Sequence, residues 1–316
     1  MKTIQNMKSR SVLILLIGAL SFTFAPAQGT MQLDISGWEA GQVYFDEDEW
    51  TEVITGDIPL VITVPHGGAK KPEGMADRTC KDDRGRIVRG TDSYTQEVSR
   101  FIREVFQEKY NKQPYIIINH VARSKVDQNR DLHYAACGDE KGMQAWHNFH
   151  SAADSALAHA VRKFGYAFYI DLHGHGHSNQ RLELGYSLTK GDLQKAFKRE
   201  DLKKYAAKSS MANYIKKHPD ADIWELLFGK HAFGTYIYRE GIPATPAVQD
   251  PHPAEDESFF SGGYNTRRYT SPDYPDVFGL QIEMHYRKAR DSRANIRAFA
   301  QSLARAYFDF IDKLDL

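Results

Sequence analysis

The chain has 316 residues, 41% hydrophobic and 26% charged, with 41 basic and 41 acidic side chains, so it is long enough for a sizeable core and is not of disordered composition. Its first 27 residues hold three of the basic and none of the acidic side chains, which leaves the remainder with a formal charge of −3. Without a basic excess nucleic acid is excluded as the expected partner, because phosphate neutralisation supplies most of that affinity.

Lys2, Lys8 and Arg10, then the apolar stretch from Val12 to Phe24, then Ala25-Pro26-Ala27 have the charged, greasy and small-residue parts of a secretory signal. The expectation is cleavage near Ala27 and a single exported domain over 28–316, periplasmic or secreted. The apolar stretch is too short for a stable membrane anchor.

Val43-Tyr44-Phe45 and Trp50 to Ile54 read as short strands of a hairpin or sheet edge. Leu60-Val61-Ile62-Thr63-Val64 is a continuous β-branched run ended by Pro65-His66-Gly67-Gly68, a buried strand that delivers a histidine to a loop. Apolar residues at helical spacing (Val98, Phe101, Ile102, Val105, Phe106) predict a helix over 92–110, with Thr91 and Asp92 as cap candidates. Cys80 and Cys137 are the only cysteines; in an exported protein they are either a disulfide or two thiols, and their spacing does not decide which.

Tyr115 to Asn119 is another strand and Trp146 to Phe164 another helix, with His147, His150 and His159 on it as packing residues rather than ligands. Ala167 to Ile170 is a strand that stops at Asp171-Leu172-His173-Gly174-His175-Gly176-His177, three histidines interleaved with glycines. Strands alternating with helices of this length predict a largely parallel sheet covered on both faces, and such sheets place their ligand sites at the C-terminal ends of the strands.

Residues 190–233 are charged and largely helical, with a helix from Ala206 to Ile215. Tyr236, Tyr238 and Arg239 alternate as in a strand, and residues 241–276, rich in proline, form a long irregular excursion of the kind that borders a site. Tyr264 and Tyr269 are lid candidates there. Gly279 to Met284 is a strand whose alternation sends Gln281 and Glu283 to one face, and a final helix runs from about Ser292 to Leu314.

Three strand ends therefore carry polar groups: His66, the Asp171/His173/His175 cluster, and Glu283. A mononuclear catalytic zinc site needs three protein ligands, one open position and a nearby carboxylate that takes a proton from water. His66 and His173 supply two ligands and Glu283 the base; Asp92 is the third ligand, ahead of Asp77, Glu73 and His175. Arg123 suits the polarised carbonyl, Asn129 and Arg130 form a fork for a substrate carboxylate, and His175 is placed beside them as a substrate contact.

Pro65-His66-Gly67-Gly68, Gly90-Thr91-Asp92, Arg123 with Val126 to Arg130, Asp171 to His175 and Leu280 to Glu283 fall in an order that resembles the N-formylglutamate amidohydrolases, from about Pro59 to Leu303. The resemblance implies a zinc carboxypeptidase-like fold, a mixed eight-stranded α/β sheet with helices on both faces, and zinc-dependent hydrolysis of an amide. It implies one Zn2+ held by His66, Asp92 and His173, with Glu283 as general base and Arg123, Asn129 and Arg130 on the substrate. The chain departs from the carboxypeptidase pair His-x-x-Glu, since Ala69 stands three residues after His66. It also has Met284-His285-Tyr286-Arg287 after the catalytic acid, which with export points to a small N-acyl amino acid or peptide bearing a free carboxylate. A carboxypeptidase or peptidoglycan amidase, a two-metal phosphoesterase using Asp171, His173, His175 and His177, and a non-catalytic metal-binding surface protein are the other expectations. Oligomeric state has no signal in the sequence.

Overall fold

The computed structural model describes residues 35–82, 85–314 and 316; the expected leader over 1–27 lies outside them. After a short 3-10 turn, β1 (Val43–Phe45) and β2 (Thr51–Ile54) form the expected edge hairpin, followed by β3 (Leu60–Val64), α1 (Thr95–Tyr110), β4 (Tyr115–Asn119), α2 (Leu132–Ala136) and α3 (Glu140–Phe164). β5 (Ala167–His175) and β6 (Leu182–Gly185) lead into α4 (Lys190–Phe197), α5 (Leu202–Lys208), α6 (Ala212–Lys217), α7 (Ile223–Phe228) and α8 (Phe233–Arg239). The chain closes with β7 (Ala244–Thr245), α9 (Tyr264–Tyr269), β8 (Val277–His285) and α10 (Arg293–Ile311).

The eight strands make one mixed sheet in the order β1-β2-β4-β3-β5-β8-β6-β7. The central four, β4, β3, β5 and β8, run parallel, so their C-terminal ends lie along one edge. Alternation sorts the side chains. Ile62, Val64, Ile170, Leu172, Leu280 and Ile282 face a large core with α1, α8 and α10, while Val61, Ile117, Ala167, Tyr169 and Val277 pack with α3 on the other face. On that second face the apolar rows end after Tyr169 and Val277, and the next residues in register are the pairs Asp171 with Gln281 and His173 with Glu283. The core stops there and a polar site begins.

Several boundaries differ from the sequence expectation. Helix α1 starts at Thr95, with Tyr94 at φ 67° before it, because the Asp92 carboxylate is committed to His173 and Gly174 and caps nothing. Helix α3 begins six residues early, since Asp139 accepts from the Gly142 amide and caps it. The predicted helix over 206–215 is broken between Ser209 and Met211, and Ser210 is drawn to the sheet by its hydroxyl bond to the Gly279 carbonyl, 2.6 Å. Tyr236, Tyr238 and Arg239 lie on α8, not on a strand. Among the described residues no helix is long and apolar enough to cross a membrane.

Candidate functional site

His66 leaves the end of β3 through Pro65, and His173 stands near the end of the adjacent β5; their rings lie edge to face with centroids 4.8 Å apart. Asp92 comes from the loop before α1 and is fastened by its own amide to the His66 carbonyl, 3.1 Å. One oxygen of Asp92, Oδ2, lies 3.1 Å from His173 Nδ1, 3.4 Å from His66 Nδ1 and 3.2 Å from the Gly174 amide, which donates to it. Gly174 has no side chain because the Arg290 guanidinium occupies that space, 2.3 Å from where a Cβ would stand. Arg290 in turn donates to the carbonyls of Met284 and His175 and ties the ends of β8 and β5 together.

The far nitrogen of each imidazole meets a buried aspartate. His66 Nε2 lies 2.6 Å from Asp127 Oδ1, and His173 Nε2 lies 2.8 Å from Asp171 Oδ2. Asp127 is fully buried and also accepts from Arg78, from Arg123 Nε at 3.0 Å and from the Asn129 amide. Burial opposes its charge, but Arg123 and His66 hold its carboxyl well below the ordinary range. Such carboxylates orient metal-ligating histidines and fix which nitrogen is free.

Three observations show that His66, Asp92 and His173 suit a divalent cation. Their ligand atoms all lie within 4.8 Å of one another. His66 Nδ1 is buried with no hydrogen-bond partner among the described residues, a cost that a bound ion would remove. The 3.1 and 3.4 Å separations at Asp92 Oδ2 bracket the ligand–ligand edge of a zinc tetrahedron, about 3.3 Å for bonds near 2.0 Å.

The proton balance agrees. Burial opposes charge on His173, yet Asp171 and Asp92 raise its pKa well above the usual histidine value. Asp92 is held below the ordinary carboxylate range in spite of burial, through His173 and His66. Glu283, across from His173 on β8, is pushed up to about 8, chiefly by burial and further by Asp92 and Glu183, against the pull of His173 and Arg123. At neutral pH the metal-free centre thus carries one extra proton on His173 and one on Glu283, the charge a divalent cation would replace.

These groups line a cleft of about 540 Å³. Arg123 sits on its wall, with Nη1 3.9 Å from Asp92 Oδ1. Arg130 and Arg267 line it too, each with one guanidinium nitrogen on a backbone carbonyl, Asn129 and Gly262 respectively, and no acidic partner among the described residues. Burial and the nearby Arg130 lower the Arg267 pKa. Glu283 is steadied by Gln281 Nε2, which donates to it at 2.9 Å.

Two expected substrate contacts are placed otherwise. The Asn129 side chain reaches the cleft but accepts from the Asn265 amide at 2.9 Å and lies 3.2 Å from His173, so it positions rather than offers a free fork. His175 does not line the cleft. It lies one row beyond His173, its Nε2 on the Arg181 carbonyl and its Nδ1 on the His177 amide, and burial lowers its pKa to about 4. His175, His177 and Glu183 form a second group of close polar side chains, but both ring nitrogens of His175 are engaged within it.

Asp77, the ligand candidate behind Asp92, pairs with Lys125 at the surface. Tyr269 is buried against His150 on helix α3 and is no lid, whereas Tyr264 lines the cleft. His159 bonds Tyr115. Cys80 and Cys137 form a disulfide, which ties the chain at Cys80 to the C-terminal end of α2.

The residues missed in the sequence are Asp127, Arg267 and Arg290. Asp127 stands four residues after Arg123 and reads as a surface ion-pair partner; only burial reveals it as the support of His66. Arg267 and Arg290 carry no local signal.

No protein-family model and no curated protein matches this chain. Among solved structures it is similar to an N-formylglutamate amidohydrolase from Ralstonia eutropha, at 13% identity over 84% of this chain and 98% of that one, with a TM-score of 0.48. A gene product from Agrobacterium tumefaciens aligns at 13% identity over 86% and 99%, also at 0.48. A metallo-carboxypeptidase from Burkholderia cenocepacia aligns at 11% identity over 83% and 60%, at 0.32. Likenesses this distant carry no weight on the chemistry, which rests on the distances within the site.

Proposed function

We propose that the protein is an exported zinc-dependent amidohydrolase that cleaves the amide of a small N-acyl amino acid or short peptide bearing a free carboxylate. The observation that carries this reading is the convergence of two aspartate-supported imidazoles, one Asp92 oxygen and a buried carboxyl of raised pKa on one cleft. Zinc, held by His66, Asp92 and His173, would supply a Lewis acid that polarises the amide carbonyl and acidifies water.

The chain's own groups account for the rest. Glu283, in its carboxylate form, takes a proton from the attacking water and passes it to the leaving amine. Arg123, aligned by Asp127, donates to the carbonyl oxygen as negative charge develops there. Arg130 and Arg267, two guanidinium groups without acidic partners among the described residues, hold the substrate carboxylate. Export rests on the expected leader, and the disulfide suits an oxidising compartment.

The test is metal dependence with stoichiometry. Hydrolysis of N-acyl amino acids is lost on chelation and restored by one zinc per chain, and Glu283→Gln retains the metal but loses about 10²–10⁴-fold in kcat. Full activity in the chelated protein, or in Glu283→Gln, would end this reading.

A further inference from the structure

Phe260 lines the same cleft as His66, His173 and Glu283, and it is 42% exposed. It is not left loose. Its amide donates to Glu183 Oε2 at 2.7 Å, and its ring stacks on His177 with centroids 4.6 Å apart and planes at 15°. His177 is itself held by Glu183 Oε1, 2.7 Å from Nδ1. Glu183 is fully buried, so one carboxyl group shielded from solvent grips both the backbone and, through His177, the ring of one exposed residue.

The flanking chain is fastened as well. Phe259 packs against the main core, Arg181 pairs with Asp250 and Glu257, and the Gly263 amide donates to Gln281 at 2.7 Å. Burying a polar group is costly unless it is hydrogen-bonded, and here each carboxyl oxygen of Glu183 is met by an element that presents the ring. An aromatic face held rigid and open to a cleft loses little conformational freedom when a flat apolar group packs on it.

We infer that Phe260 is a specificity-determining residue that takes an apolar, preferably aromatic, group of the ligand, with His177 and Glu183 as its positioning residues. This rests on the cleft being the substrate site, as proposed above, but its test needs no hydrolysis. Titration calorimetry of the full chain with 3-phenylpropionate and with propionate compares ligands that share a carboxylate and differ by one phenyl group. The phenyl acid is expected to bind at least about tenfold more tightly to the wild type. Phe260→Ala should abolish that preference, Phe260→Leu keep part of it, and His177→Ala reduce it while leaving propionate binding unchanged. No preference in the wild type, or an equal one in Phe260→Ala, overturns the inference. A preference that persists in a protein which hydrolyses no amide would sink the amidohydrolase reading and leave this one standing.

Discussion

His66 Nε2 and Asp127 Oδ1 lie 2.6 Å apart, and that contact decides which nitrogen of His66 faces the cleft. With Nε2 committed to a fully buried carboxylate, Nδ1 is left as the free ligand atom, beside Asp92. His173 repeats the arrangement with Asp171, so the centre is built on two carboxylate–imidazole pairs that meet at one Asp92 oxygen.

Asp127→Asn therefore weakens zinc binding by about 10–100-fold, because the amide supports His66 less well. Competition with a chelator of known affinity measures this, and a melting curve separates it from unfolding, since Arg78 and Arg123 lose a charge partner too. Unchanged affinity in a folded variant would remove Asp127 from the site.

Proton release reports the electrostatics directly. With the His173 pKa raised and Glu283 near 8, zinc binding at pH 7 displaces about two protons, one from each. Above pH 8 Glu283 is already ionised and the number falls by about one; Glu283→Gln releases about one fewer than the wild type at pH 7. Calorimetry in buffers of different ionisation enthalpy gives the count, and a pH-independent count contradicts the assignment.

The same shift sets the stability of the metal-free protein. Glu283 has a folded-state pKa raised above its unfolded value near 4.5, so between about 4.5 and 8 the unfolded chain binds fewer protons than the folded one. Its contribution to stability is therefore lost as pH rises through that window. In urea denaturation of the metal-free chain, the change in stability from pH 5 to 8 should be more negative in the wild type than in Glu283→Gln.

Arg130→Ala and Arg267→Ala each raise KM about 10–100-fold for a carboxylate-bearing substrate, from the loss of one charge-assisted contact, with kcat nearly unchanged. A substrate whose carboxylate is converted to an amide should be insensitive to both changes. Equal losses on the two substrates would place the arginines elsewhere in the reaction.

The disulfide closes a loop of 57 residues, for which the chain-entropy account gives about 4 kcal/mol. Replacing Cys80 and Cys137 by serine should lower unfolding free energy by about 2–4 kcal/mol. Identical urea midpoints with and without reductant would show that the bridge carries no such load.

The strand ends were legible in the sequence because burial on both faces demands continuous apolar runs, and the places where those runs break off, at His66, at Asp171 to His175 and at Glu283, mark themselves. The alternation of β8 likewise puts Gln281 and Glu283 on one face. His175 shows the limit of that rule. Period two assigns it to the same face as His173, yet it falls one row past the cleft, in a network with His177 and Glu183.

From the amino-acid order alone came the α/β sheet, the polar strand ends and the residue types fit to hold zinc, because these follow from local periodicity and side-chain chemistry. The folded chain alone decided that Asp92 turns inward instead of capping α1, that Asp127 is buried support, that Arg267 and Phe260 reach the cleft, and that the two cysteines meet. Each of those depends on distances between segments far apart in sequence, which only the packing of β3, β4, β5 and β8 into adjacent positions brings together.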